Sequence, residues 1–228
     1  MWTNEYFTVI FVYNQIVMGL SNIKLVVLDA MGVIYLAQDD VGELLIPFLR
    51  RNGCDISDAD IYSLYKDCSL GRFSSIEFWH RLRMQESGES LDNEYIKGHV
   101  LSDGLITFLQ KMKSNNIPVA CLSNDVLEWS VKLRKLHHLE EYISFWVISG
   151  AAGVRKPDAG IYQILVRNTG YNSQNCLFID DHIENLDAAG RLGFNTLLFA
   201  TDKTKDFSVK HMTVSSFKEI ASLIPINE

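Results

Sequence analysis

A chain of 228 residues that is 47% hydrophobic and 21% charged suits one large α/β domain, or one domain carrying a smaller insertion. Its formal net charge of −7 and lack of any Lys/Arg-rich block exclude the electrostatic footprint of a nucleic-acid binder and leave an anionic membrane little to attract. Cys54, Cys68, Cys121 and Cys176 form no CxxC pair and read as reduced core thiols, with the cytoplasm as the expected compartment.

Residues 1–20 read as an N-terminal extension. Tyr6 to Val12 is nearly all apolar, but the run is too short to span a bilayer, and no Lys or Arg precedes Lys24 as a signal peptide would require. The stretch is either an added docking segment or an upstream start, with synthesis beginning at Met18. Ile23 to Leu28 then reads as a short buried parallel strand that ends at Asp29.

Residues 37–100 carry helical patterns over Glu43–Arg51, Asp58–Cys68, Ser75–Met84 and Asp92–Lys97 and no convincing strand. This predicts an all-helical insertion, a second small domain placed above the site as a lid. Further along, Gly104 to Ser114 and Asp158 to Asn168 each place apolar residues on one helical face. Strand patterns follow at Pro118–Leu122, Phe145–Ile148, Cys176–Ile179 and Thr196–Phe199. Strands alternating with helices predict a Rossmann-like, doubly wound parallel sheet built from residues 21–36 and 101–228. Ligands of such sheets bind beyond the carboxyl ends of the strands.

Several strands end at that edge in chemically useful residues. Asp29 follows the first, where it is either a nucleophile or a turn residue, and Gly32 stands where the backbone must turn sharply. Asp180 and Asp181 follow a later strand. Adjacent carboxylates repel and raise each other's pKa unless a cation is near, and a hard divalent ion is the natural partner of gathered oxygens. Lys156 lies in the loop before the Asp158 helix, with Pro157 placed to start that helix. Beside three acids it would hold their orientation and balance a bound phosphate. Ser123 and Asn124 end the second strand, either donating to phosphate oxygens or capping a helix that starts near Asp125.

In order, Leu28-Asp29-Ala30-Met31-Gly32-Val33-Ile34, Cys121-Leu122-Ser123-Asn124-Asp125, Arg155-Lys156-Pro157-Asp158 and Phe178-Ile179-Asp180-Asp181 resemble the four motifs of the haloacid dehalogenase-like superfamily. The resemblance is to the subfamily with a helical cap after the first motif, and it spans roughly Ile23 to Ala200. It implies a Mg²⁺-dependent hydrolase or phosphotransferase acting on a small phosphorylated metabolite. Asp29 would attack phosphorus and form an aspartyl-phosphate. Asp29, Asp181, Asp180 and the main-chain carbonyl of Met31 would hold or flank Mg²⁺. Ser123 and Lys156 would grip the phosphoryl group, with Asn124 and Gly32 beside it, and Asn185 would support the acidic loop.

One position departs from the pattern. Phosphatases of this family usually carry a second Asp two residues after the nucleophile, as general acid and base; here it is Met31, which cannot move a proton. Substrates with good leaving groups are expected, or a substitute acid among His182, His80 and His99. The departure also keeps open a metal-independent 2-haloacid-dehalogenase-type reaction, phosphonate cleavage through a cap lysine (Lys66 or Lys97), and a low-turnover binding or regulatory protein. Within the insertion, Arg72 is placed to meet a substrate anion and Trp79 to wall the pocket, although Phe73, Phe78 and Trp79 read more readily as its core and Arg72 as a surface charge. A monomer or weak dimer is expected.

Overall fold

The computed structural model describes residues 22–200 and 211–224, so the N-terminal extension and the question of Met18 lie outside the described residues. Six parallel strands form one sheet: β1 (Leu25–Leu28), β2 (Val119–Ser123), β3 (Ile143–Ile148), β4 (Cys176–Asp180), β5 (Asn195–Phe199) and β6 (Met212–Val214), in spatial order β3-β2-β1-β4-β5-β6. Every residue of β1, β2 and β4 is buried, as befits central strands covered on both faces. Val26 and Leu28 join the hydrophobic cluster on one face of the sheet, Leu25 and Val27 the cluster on the other.

Register decides which residues meet. Leu28 of β1 lies level with Cys121 of β2 and Ile179 of β4. One residue further on, Asp29 and Asp180 therefore leave adjacent strands side by side, with Ser123 just beyond on the other flank.

Between β1 and β2 the chain is helical: α1 (Ile46–Arg51, preceded by a π-helical turn over Val41–Leu45), α2 (Asp58–Cys68), α3 (Ser75–Arg81) and α4 (Gly88–Tyr95). Three serines start three of these helices. The side chains of Ser57, Ser74 and Ser87 accept from the amides of Asp60, Glu77 and Ser90, each satisfying an orphan first-turn N–H. Two predicted bounds shift for local reasons. The third helix stops before Met84 because Arg83 takes φ +59°, and the fourth begins at Gly88 because Ser87 caps it there. Asp92 lies within it and accepts from both Trp79 and Trp129 indoles.

Trp129 belongs to α6 (Leu127–Leu136), which follows α5 (Leu105–Ser114) and β2, so this buried carboxylate ties the insertion to the sheet domain. Rings of Phe78, Trp79 and Tyr95 pack against Trp129 at centroid distances of 5.4, 5.5 and 4.7 Å. The insertion's core is thus continuous with one face of the sheet. Its two connecting segments also run together. Tyr35 bridges Leu101, Leu36 donates to the Val100 carbonyl at 2.9 Å, and His99 Nε2 lies 2.8 Å from Asp40 Oδ1.

On the other side of the sheet lie α8 (Ala159–Thr169), after a four-residue turn α7 (Ser149–Ala152), and α9 (Ile183–Arg191); α10 (Phe217–Leu223) closes the described chain. β6, three residues long, had no counterpart among the predicted strands. All four cysteines are free and buried, and no described helix is long and apolar enough to cross a membrane.

Asp125, buried in the turn after β2, accepts from the Val126 amide at 2.6 Å. Burial, and then the nearby Asp40, push its carboxyl up to about 7, against the pull of His99, the Val126 amide and Arg155. A raised carboxyl pKa means that the folded state holds the proton more tightly than the unfolded chain. Its contribution to stability is complete below about pH 4 and is lost as pH rises through 7. Asp125→Asn keeps the amide contact without the charge. It is expected to change the melting midpoint little at pH 5 and to raise it by several degrees at pH 8. An equal shift at both values contradicts this reading.

Candidate active site

At the carboxyl edge of the sheet, Lys156 Nζ lies 2.7 Å from Asp29 Oδ1 and 2.7 Å from Asp180 Oδ2. The lysine is only 5% exposed. Its loop precedes α8 and is fixed by Asn124. The Lys156 amide donates to Asn124 Oδ1 at 2.8 Å, and Asn124 Nδ2 donates to the Lys156 carbonyl at 3.0 Å. Asn124 therefore spends its amide group on holding the lysine loop. Neither it nor Ser123 caps a helix, since α6 begins after Val126 without a side-chain cap. Pro157 likewise does not start α8; Asp158 caps it, accepting from Gly160 at 2.7 Å.

Asp180 is saturated. Asn185 Nδ2 donates to its Oδ1 and Oδ2 at 3.1 and 3.0 Å, the His182 amide donates to Oδ1 at 2.7 Å, and Lys156 holds Oδ2. Asp29 is anchored only through Oδ1, which also accepts from the Ala30 amide at 2.6 Å. Asp181 Oδ1 meets His182 Nδ1 at 2.7 Å. Among the described residues no hydrogen bond reaches Asp29 Oδ2 or Asp181 Oδ2.

The electrostatics follow from counting. Three buried carboxylates share one buried ammonium. Burial, then Asp180, lift the Asp29 carboxyl to about 8, with Asp181 adding to the rise and Lys156 only partly offsetting it. Burial works against the Lys156 ammonium, but Asp180 and Asp29 outweigh it and hold its pKa above the ordinary lysine value. One oxygen or nitrogen each from Asp29, Asp180, Asp181 and His182 falls within a 4.8 Å cluster. The donor set fits a hard divalent cation: excess negative charge, oxygen-rich, with open oxygens on Asp29 and Asp181. Gly32 makes room for it. At φ +76°, a Cβ there would stand 2.3 Å from Asp181 Oδ2.

Of these groups Asp29, Lys156 and His182 line a cavity of about 460 Å³, together with Met31, Ser123, Asn124 and Asn185. The same cavity is walled from the insertion by Tyr62, Tyr65 and Lys66 of α2, with Gln38, Asp39 and, from the lysine loop, Arg155. The sequence had offered Arg72 and Trp79 as pocket residues, and the structure brings neither there. Arg72 pairs with Asp67 at 2.6 Å on the outer surface, and Trp79 is buried in the aromatic cluster. Of the histidines, His182 lines the cavity, His99 is engaged with Asp40, and His80 is exposed away from the lining. Tyr62, Tyr65 and Arg155 went unrecognised in the sequence. Spacing at i, i+3 and i+4 marks a shared helix face but does not say what the face meets.

A profile of the haloacid dehalogenase-like hydrolases matches residues 23–193. The chain is similar to flavin mononucleotide hydrolase 1 of Arabidopsis thaliana, 30% identical over 56% of this chain and 55% of that protein. It is also similar to (S)-2-haloacid dehalogenase 4A of Burkholderia cepacia, 32% identical over 39% of this chain and 38% of that one. The chain thus spans about half the length, or less, of these relatives. A HAD family enzyme from Bacteroides thetaiotaomicron, solved with magnesium and inorganic phosphate, superposes with TM-score 0.66 at 20% identity, covering 81% of this chain and 98% of that one.

Gly32→Ala is expected to leave a folded protein whose affinity for a divalent cation falls by about tenfold or more, because the new methyl displaces Asp181. The measurement is the rise in melting temperature with Mg²⁺ concentration. Wild-type Mg²⁺ dependence in this variant contradicts the packing described.

Proposed function

The chain belongs to the haloacid dehalogenase-like hydrolase family, and we propose that within it this protein is a Mg²⁺-dependent phosphomonoester hydrolase using Asp29 as nucleophile. The observation that carries the reading is the Lys156 bridge. It fixes Asp29 by one oxygen and leaves the other without a hydrogen bond, in a residue that lines the cavity.

Asp29 and Asp181 would hold Mg²⁺. When bound, the ion lowers the Asp29 pKa and neutralises charge on phosphoryl oxygens. Lys156 supplies further positive charge to the transferring group, and Ser123 stands ready as a hydroxyl donor. Asp180, saturated by four hydrogen bonds from three donors, positions Lys156. The free oxygen of Asp29 attacks phosphorus, the ester P–O bond breaks, and the leaving oxygen carries away the electron pair. Water then attacks the aspartyl-phosphate and the acyl P–O bond breaks, regenerating the Asp29 carboxylate and releasing phosphate; the proton water loses passes to solvent, from which the leaving oxygen takes one.

Met31 offers no proton to the leaving oxygen. General acid help is worth about 10²–10⁴-fold, so the enzyme favours esters whose leaving group departs without it. The helices spanning residues 37–100 act as the cap that completes the pocket and selects the substrate. FMN belongs among the first substrates because a relative is an FMN hydrolase.

Dehalogenation is the second reading, motivated by Met31 and by the dehalogenase relative. It needs no cation, and it leaves the charge excess of Asp29, Asp180 and Asp181 over Lys156 uncompensated. Phosphonate cleavage through Lys66 gains from that residue's place on the cavity wall. The side chain is exposed, however, without the desolvation that activates Schiff-base lysines.

Phosphate release from a panel of sugar phosphates, FMN, other nucleotides, and aryl and acyl phosphates tests the proposal. Release is expected to require Mg²⁺, to rise as the leaving group improves, and to fall more than about 10³-fold in Asp29→Asn. Chloride release from 2-chloropropionate in excess EDTA, without phosphate release from any ester, overturns it.

A further inference from the structure

The wall that α2 gives the cavity is chemically lopsided. Tyr62, Tyr65 and Lys66 occupy positions i, i+3 and i+4 of α2 and line the cavity together. Arg155 joins them from the lysine loop, its guanidinium 5.8 Å from the centre of the Tyr65 ring and donating to Ser69 Oγ. Each of the two acids on this side has a partner of its own. Asp39 Oδ1 accepts from the Gly42 amide at 3.1 Å and its Oδ2 from the Tyr62 hydroxyl at 2.5 Å. Asp40 faces His99 at 2.8 Å. Gly42 protects the first arrangement, since a Cβ there would lie 2.4 Å from Asp39 Oδ2.

The two cations differ from their neighbours. Arg50, Arg72 and Arg81 of the same insertion pair with Asp58, Asp67 and Glu77. Among the described residues neither Lys66 nor Arg155 has a carboxylate within 4.0 Å. The remaining acid of the lining, Glu184, stands on α9 with the acidic cluster rather than on this wall. This wall therefore presents two cations with no carboxylate partner within 4.0 Å, one of them a planar fork near the Tyr65 ring.

We propose that the leaving group of the substrate carries a second anionic group, which Lys66 and Arg155 receive. The proposal rests on the phosphatase reading, which places the phosphoryl group at Asp29 and so sends the leaving group toward α2. It favours compounds bearing an anion at each end over neutral alcohol phosphates, with Tyr65 packing against the part between. Lys66 and Arg155 are specificity-determining residues and take no part in bond breaking.

The test uses phosphate esters of ω-hydroxy acids in which two to five carbons separate the groups. Each is compared with its own carboxamide and with the bisphosphate of the matching diol. Two quantities are read: kcat/KM with Mg²⁺ for the wild-type protein, and binding of the same compounds to Asp29→Asn by titration calorimetry. At the best length the acid is expected to exceed the amide by about tenfold or more in both. Lys66→Gln and Arg155→Gln should each shrink that ratio by about fivefold, and Lys66→Glu should bring it to one or below. Bisphosphates matching the acids assign the pocket to charge alone; acids ahead of bisphosphates assign it to carboxylates. A ratio near one at every length, or one unmoved by both glutamine variants, overturns the proposal. Hydrolysis without the preference refutes only this inference. Preference in binding without hydrolysis of any ester refutes the phosphatase reading and keeps the anion pocket.

Discussion

A single ammonium group inside a ring of buried carboxylates is the constraint on which the site depends. Lys156 touches Asp29 and Asp180 at equal distances, with Asp181 in the same cluster. A buried charge without partners is among the most costly features a fold can carry, and removing one member of such a pair is strongly destabilising. The surrounding sequence is arranged to keep this group in place. β1 and β4 share a register that brings the two aspartates out together, Asn124 clasps the lysine loop from both sides, and Asn185 closes the remaining lone pairs of Asp180. Negative charge still exceeds positive, and the two oxygens with no hydrogen bond belong to Asp29 and Asp181. Structure and electrostatics thus converge on a place for a cation and an electrophile.

The helical insertion brings different physics to the same cavity. Its interior is aromatic, and it merges with one face of the sheet through Trp129 and the buried Asp92. Its connecting segments are joined by backbone hydrogen bonds and by Asp40 with His99. A wall anchored at so many points holds α2 at a fixed position opposite Asp29. In the proposed reading, side chains at positions 62, 65 and 66 would then act as a rigid template against which leaving groups are discriminated by where their charges fall.

Much of this was legible in the sequence because strand-ending acids are a local signal. Asp29, Ser123, Lys156, Asp180 and Asp181 each follow or adjoin an apolar run, and a parallel sheet sends all such ends to one edge. The five predicted strands and the helix over Asp58–Cys68 were readable from period and capping. What escaped was whatever depends on contacts between distant elements. Asn124 looked like a ligand-binding or capping residue, yet its partners are the backbone atoms of a loop 32 residues away. Arg72 was offered as an anion receptor, but in the turn after α2 it pairs with Asp67. Tyr62 and Tyr65 carry no signal of their own within the helical pattern over Asp58–Cys68. β6 is only three residues long, too short for period to mark it.

The central claim is that Asp29 itself accepts the phosphoryl group. The most direct measurement is rapid acid quench during turnover of a hydrolysable ester with Mg²⁺, followed by proteolysis and mass spectrometry of the peptide containing Asp29. A phosphoryl mass on Asp29 that appears within one turnover and decays as substrate is exhausted is the predicted result. Steady phosphate release with the label on another residue, or with none on Asp29 at any quench time while an authentic acyl phosphate survives the same work-up, would contradict it.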